Sequence, residues 1–164
     1  FDANALYRRG FVQEGWKALK TLADTALDFD TSRIYPGIPE YFRADGRGMY
    51  HYLTGAASWY MMTMITQVFG VRGEAGDLLL QPKLTAAQFD AEGSASVHVT
   101  FAGRRLEIRC QNPGRLEYGQ YRVQKVLCGD AELCAGSCDS VIIPRRVIEA
   151  LPAEQKQVFT VYLG

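Results

Sequence analysis

Neither sign of charge prevails in this chain: Lys and Arg number 18, Asp and Glu also 18, leaving no basic field to attract nucleic acid or an anionic membrane. Long hydrophobic runs are missing too. The best stretch, residues 56–69, is interrupted by Ser58, Thr63, Thr66 and Gln67, short of the roughly 18 apolar residues that a membrane span requires. Histidine occurs only at His51 and His98, neither at ligand spacing from a cysteine. Cys110, Cys128, Cys134 and Cys138 include no CxxC pair, and the Cys134-x-x-x-Cys138 spacing fits a zinc knuckle poorly. We expect ordinary reduced thiols, no metal and a cytoplasmic protein. Walker, GxGxxG, HExxH and GxSxG patterns are absent, which removes the commonest enzyme signatures. The chain opens without an initiator Met or the charged and apolar regions of a signal peptide, so its natural N-terminus is expected to lie further upstream.

What is present is globular in composition, 48% hydrophobic and 22% charged, rather than disordered. Residue usage shifts from helix-like to strand-like around residues 70–76, which predicts two units, 1–72 and 73–164. Between residues 10 and 29, Phe11, Gly15, Trp16, Leu19, Leu22, Ala23, Ala26 and Leu27 recur at steps of three and four, as one face of an amphipathic helix does. Residues 31–50 carry Pro36, Gly37, Pro39, Gly46 and Gly48, which forbids a long regular element and reads as a functional loop. Residues 53–69 are helical again and apolar nearly all round, the mark of a buried helix; Gly70 closes it and residues 71–76 read as an exit turn. Beyond that the period becomes two. Val97, Val99 and Phe101, then Leu106, Ile108 and Cys110, alternate with polar residues about the Ala102-Gly103-Arg104 turn, describing a hairpin with one buried face. Further strands are expected at 78–81, around Tyr121 and Val123, at 141–143 and at 159–163, with a helical turn in 144–151. Together these predict an α+β chain whose second part is an antiparallel β-sandwich.

Chemistry concentrates in residues 35–60. Thr54 and Gly55 stand where a helix begins, and a helix start leaves backbone N–H groups that an anion can approach closely over a glycine. The same pair serves equally to cap the helix and to permit close packing. The preceding loop offers Glu40, Arg43, Asp45 and Arg47 beside Tyr35, Tyr41, Phe42, Tyr50 and Tyr52, the mixture of flat apolar faces and charge that sugar rings and hydroxyls require. His51 fits either an anion ligand or general base, or a packed histidine near a helix start. His98 and the Arg104, Arg105 and Arg109 group read as a solvated sheet face, and Met61, Met62 and Met64 as core filler.

Three segments, Tyr35-Pro36-Gly37-Ile38-Pro39-Glu40-Tyr41, Gly46-Arg47-Gly48-Met49-Tyr50 and Tyr52-Leu53-Thr54-Gly55-Ala56-Ala57-Ser58-Trp59, resemble the C-terminal part of glycoside hydrolase family 94, the cellobiose, chitobiose and oligo-1,2-glucan phosphorylases. Phe69-Gly70-Val71-Arg72 and Gly76-Asp77-Leu78-Leu79-Leu80-Gln81-Pro82-Lys83-Leu84 resemble that family's passage from its helical barrel to its closing β-domain. The resemblance implies terminal helices of an (α/α)6 catalytic barrel in 1–72 and a jelly-roll-like C-terminal β-sandwich in 73–164. The chain would then be the tail of a longer, often dimeric enzyme, ending naturally at Val161-Tyr162-Leu163-Gly164. It further implies inverting phosphorolysis of a β-linked di- or oligosaccharide, with inorganic phosphate as co-substrate and no cofactor. Thr54 and Gly55 would bind phosphate, and Glu40, Arg47, Tyr50 and His51 would form a substrate loop. The general acid, an Asp, would lie upstream, so Asp28, Asp30 and Asp45 are not assigned that role and the chain alone is expected to be inactive. Two alternatives share these features: the phosphorylase-like end of a cyclic β-1,2-glucan synthase, and a non-catalytic carbohydrate-binding or structural β-domain, for which Tyr118, Tyr121 and Phe101 would be the exposed aromatics.

Overall fold

A computed structural model describes residues 2–34, 37–50 and 55–164. The chain is mixed α and β and divides into two compact units, Phe1–Met64 and Ile65–Gly164.

In the first unit, α1 (Asp2–Arg8) and α2 (Val12–Leu27) pack through a small-for-large fit. A Cβ on Gly15 would come within 2.6 Å of the Tyr7 ring, so the absence of a side chain there lets the fully buried Tyr7 lie on α2. Burial, followed by the nearby Tyr60, raises the Tyr7 phenol well above its ordinary value. A short helix, α3 (Phe29–Ser32), ends at Arg33, which takes the left-handed conformation with φ 56°. Within the predicted loop 31–50, residues 37–50 hold more regular structure than their glycines and prolines suggested. It contains β1 (Tyr41–Phe42) and β2 (Gly48–Met49), paired antiparallel, and a Cβ on Gly48 would strike the buried Ile34 at 2.5 Å. Asp45 organises the connecting turn, accepting from the Arg47 backbone N–H at 3.2 Å and pairing with the Arg43 guanidinium at 3.2 Å.

The helix α4 (Gly55–Thr63) leads into a π-helical turn at Met64–Val68. Sequence reasoning makes this helix buried all round, but within α4 only Thr63 is buried, while Met61 and Met62 are 62% and 41% exposed. Asn4 on α1 donates to the Thr63 hydroxyl at 3.1 Å, which accounts for the covered position. Among the described residues no helix is long and apolar enough to cross a membrane.

The first strands of the second unit form a hairpin where an exit turn was expected: β3 (Val71–Glu74) and β4 (Asp77–Leu80), joined by Ala75 and Gly76, both at positive φ, as a two-residue hairpin turn requires. With β9 (Val141–Ile143) they form a three-stranded antiparallel sheet. The predicted hairpin of β5 (Ser94–Phe101) and β6 (Arg104–Gln111) is present, turning through Ala102 and Gly103. A second hairpin joins β7 (Val123–Cys128) to β8 (Ala131–Cys138). The helical turn α5 (Arg145–Glu149) follows β9. The last strand, β10 (Gln157–Leu163), inserts between the two hairpins to give the order β5-β6-β10-β7-β8. It runs antiparallel to β7 but parallel to β6, which corrects the expectation of a purely antiparallel fold. The register places Leu106, Ile108, Phe159, Val161 and Val126 on one face, and all five are essentially inaccessible.

The opposite face carries an ionic cluster rather than the solvated arginines expected there. Glu107 is only 5% exposed. Its carboxylate accepts from Arg109 and from Lys156, both at 2.5 Å, and His98 on the neighbouring strand lies 3.4 Å away. The Lys156 and then the Arg109 hydrogen bonds hold the carboxyl down at about 2, against the opposing effect of burial. The cover comes from the partners' own half-exposed side chains rather than from depth in the core, so solvent screening limits its worth. Because the folded-state value is depressed, the stabilisation is full above the unfolded glutamate value and disappears as pH falls from about 4.5 to about 2. Glu107→Gln is expected to cost about 1–2 kcal/mol at pH 7 and almost nothing near pH 2, measurable as a pH-dependent gap in urea midpoints between variant and wild type. Arg104 and Arg105 are likewise anchored, donating to the backbone carbonyls of Leu151, Glu149 and Glu154.

Candidate functional site

Glu40 immediately precedes β1, and its N–H donates to the Met49 carbonyl at 3.2 Å across the open end of the β1–β2 hairpin. That backbone anchor sets its side chain at the start of α4. The Ala56 N–H donates to Glu40 Oε2 at 3.4 Å. A Cβ built on Gly55 would lie 3.7 and 3.8 Å from the two carboxylate oxygens, an ordinary contact. An oxyanion therefore already lies at the first turn of a nine-residue helix, where the helix dipole favours negative charge.

Of the sequence-predicted site residues, Glu40 and Gly55 are thus brought together. Tyr50, at the same open end of the hairpin, is more than half exposed, has φ 57° and meets the Tyr41 ring edge-on at 5.6 Å between centroids. The pair presents an exposed aromatic corner beside the Glu40 backbone. Arg47 sits instead in the turn at the closed end, exposed and away from Glu40. Thr54 and His51 lie outside the described residues.

Two features of this unit escaped sequence reasoning. A cavity of about 580 Å³ is lined by Asp2, Asn4, Arg8, Arg9 and Trp59, combining an indole with two guanidinium groups. Only the meeting of the chain's first turns with α4 creates it, so no local pattern could have revealed it. A shallow groove of about 510 Å³ runs along α2 over Ala18, Thr21, Leu22 and Phe42, and its lining is mainly apolar. Phe11, Leu27 and Phe29 are also exposed.

In the second unit, Tyr121 is not an exposed aromatic. It is buried, its hydroxyl accepting from the Leu84 N–H at 2.8 Å and donating to the Leu84 carbonyl at 2.9 Å. Both ends of one buried peptide position depend on it. Tyr121→Phe should therefore cost about 1–3 kcal/mol, read as a lower denaturation midpoint without loss of the folded baseline. Tyr118 packs edge-on against it at 6.3 Å, and Phe101 is half-buried. The three do not form an exposed row. Among the described residues no cluster of three or more His, Cys, Asp or Glu side chains is placed to hold a metal ion.

No protein-family model matches the chain, and no curated protein matches it at a significant level.

Proposed function

We propose that this chain is the C-terminal part of an inverting glycoside phosphorylase of the cytoplasm, one that cleaves a β-linked glucoside with inorganic phosphate and releases a sugar 1-phosphate. The observation that carries the reading is the carboxylate oxygen of Glu40 against the Ala56 N–H, beside the side-chain-free Gly55. Backbone donors there serve an oxyanion, at the position where the Thr54-Gly55 motif resembles the phosphate-binding pair of the family. The uncovered apolar surface of α2 and α4 agrees with helices that belong to a larger barrel.

On this reading phosphate is held at the start of α4 by backbone N–H groups and the Thr54 hydroxyl, and one of its oxygens attacks the anomeric carbon. An Asp from barrel segments beyond this chain protonates the leaving oxygen. Since phosphate is itself the nucleophile, no second carboxylate is needed to activate water. Glu40 then accepts from sugar hydroxyls, and the aromatic corner of Tyr41 and Tyr50 offers a flat face to a ring. Two anions at one helix start repel, so the Glu40 charge holds phosphate affinity down, and cationic groups of the barrel must offset it. The non-catalytic binding-domain reading is weaker, because Tyr121 is committed to the Leu84 peptide.

The test is a full-length enzyme carrying this chain, assayed on β-linked glucosides with and without phosphate. Sugar 1-phosphate formed only with phosphate, with inversion at the anomeric carbon, is the expected result. Free sugar released at the same rate in either condition would replace the proposal with a hydrolase.

A further inference from the structure

Glu107 divides its two carboxylate oxygens between different neighbours. Oε1 takes both bonds from Arg109, at 3.0 and 2.5 Å, whereas Oε2 accepts from Lys156 at 2.5 Å and has the His98 Nε2 3.4 Å away. Lys156 and His98 therefore stand side by side on one oxygen. The strand register brings two more donors to the same place. Across β5 and β6, His98 pairs with Glu107 and Thr100 with Arg105, and residues two apart on a strand share a face, so these four form a square on the polar face of the sheet. Lys156 closes its edge: it immediately precedes Gln157, which pairs in parallel with Leu106, the residue after Arg105.

A cavity of about 340 Å³ opens here, lined by His98, Thr100, Arg105 and Lys156 together with Val99 and Leu106. Its polar groups are largely uncommitted donors. Arg105 gives one hydrogen bond, to the Glu154 carbonyl at 3.1 Å, and among the described residues its guanidinium has no carboxylate partner. The Thr100 hydroxyl makes no hydrogen bond among the described residues. Lys156 spends on Glu107 one of the three donors of an ammonium group. Three fixed cations, Arg105, Arg109 and Lys156, thus share this face with a single carboxylate, which is 5% exposed and has both oxygens engaged. The excess positive charge is left to the cavity.

We propose that this cavity binds a small phosphorylated polar molecule, about the size of a hexose phosphate, through its phosphate group. The Arg105 guanidinium offers the planar fork that matches phosphate oxygens, the Lys156 ammonium adds a point charge, and the Thr100 hydroxyl supplies a third donor. Glu107 is a positioning residue, holding Lys156 at the cavity wall. A phosphate alone would leave most of the space empty, and about 340 Å³ falls within the range of ligand pockets, about 300–1,000 Å³, so the ligand is an ester rather than the free ion. The overall balance of 18 basic against 18 acidic residues confines the positive field to this patch, which suits a small anion and not a long polyanion. The site lies wholly in the second unit and does not depend on the reaction proposed above.

The experiment follows the histidine ring signals of the chain by NMR during titration with glucose 6-phosphate, inorganic phosphate and glucose, at fixed pH and physiological ionic strength. The chain has two histidines, and His51→Gln assigns them. Glucose 6-phosphate should move the His98 signals to saturation, with an apparent dissociation constant of about 1 mM or tighter, inorganic phosphate should bind more weakly, and glucose should leave the signals in place. Arg105→Gln should weaken the ester about tenfold. Arg109→Gln removes the same charge from the same face but on the other oxygen of Glu107, and should weaken it about twofold or less. Shifts that rise without saturating, equal affinity for inorganic phosphate, a response to glucose, or equal losses in the two arginine variants would overturn the proposal. The three wild-type titrations decide it even if a variant fails to fold.

Discussion

Gly70→Ala is expected to destabilise the strand-rich unit by about 4 kcal/mol or to prevent its folding. A Cβ at this position would lie 1.8 Å from the Gln81 carbonyl oxygen and 2.2 Å from its carbon. These are backbone atoms, so no rotamer change can relieve the overlap. Neither can the strands part cheaply: the Gln81 N–H donates to the Gly70 carbonyl at 2.9 Å, and the Lys83 N–H donates to the Val68 carbonyl at 2.9 Å. Arg72 adds a side-chain clamp, donating to the Thr66 carbonyl and the Gln81 amide oxygen at 2.9 and 2.6 Å. Left-handed backbone at Gly70, φ 64°, contributes only about 1–2 kcal/mol of the cost; the remainder is the steric term that makes a substitution exceptional. Gly76→Ala is the matched control, since Gly76 also has positive φ but open space around it. It should lose only about 1 kcal/mol. Equal urea midpoints for the two variants would show that backbone conformation, not the approach of residue 81, sets the requirement for glycine.

What the sequence revealed and what it concealed divide along a physical line. The β5–β6 hairpin was legible because alternation and turn chemistry are local: Ala102 and Gly103 supply the two positive-φ positions that the connection needs. The insertion of β10 was not, because the alternation of residues 157–163 is the same whichever strand it pairs with and whichever way it runs. Tyr121 looked like an aromatic for a ligand because its partner, Leu84, lies 37 residues away in the chain. The cover over Glu107 was not legible because Lys156, which provides part of it, is 49 residues distant. At the candidate site, a helix carrying Gly55 was foreseeable from the residues that follow it, but the approach of Glu40 across 16 residues depends on the β1–β2 hairpin, which the Pro and Gly content of the loop disguised. The exposed methionines of α4 are the reverse case. Their composition marked a helix buried on all sides, yet Met61 and Met62 stand 62% and 41% exposed, because an apolar run says nothing of which elements lie near enough to cover it.

Substitutions at Gly55 should separate stability from turnover. Gly55→Ala adds a Cβ that, among the described residues, meets the Glu40 carboxylate at ordinary distance, and alanine favours helix over glycine by up to about 1 kcal/mol, so the folded state should be unharmed or slightly firmer. On the proposed reading that same methyl stands between an arriving phosphate and the N–H groups of the first turn. In the full-length enzyme the KM for phosphate should then rise about tenfold, equivalent to about 1.4 kcal/mol of lost binding, with kcat much less affected. Gly55→Asp goes further, placing a second carboxylate beside Glu40 at the seat of the anion, and phosphorolysis should fall by about a hundredfold or more. Glu40→Gln should act in the opposite sense on phosphate, lowering its KM by removing a repulsive charge, while raising the KM for the sugar whose hydroxyls the carboxylate accepts. A merely structural role for Glu40, as a cap on α4, predicts neither shift: its replacement would cost a few tenths of a kcal/mol to about 1 kcal/mol of stability and leave both KM values in place. Unchanged phosphate kinetics in Gly55→Asp would remove the start of α4 from the reaction altogether, whatever the parent enzyme does with phosphate.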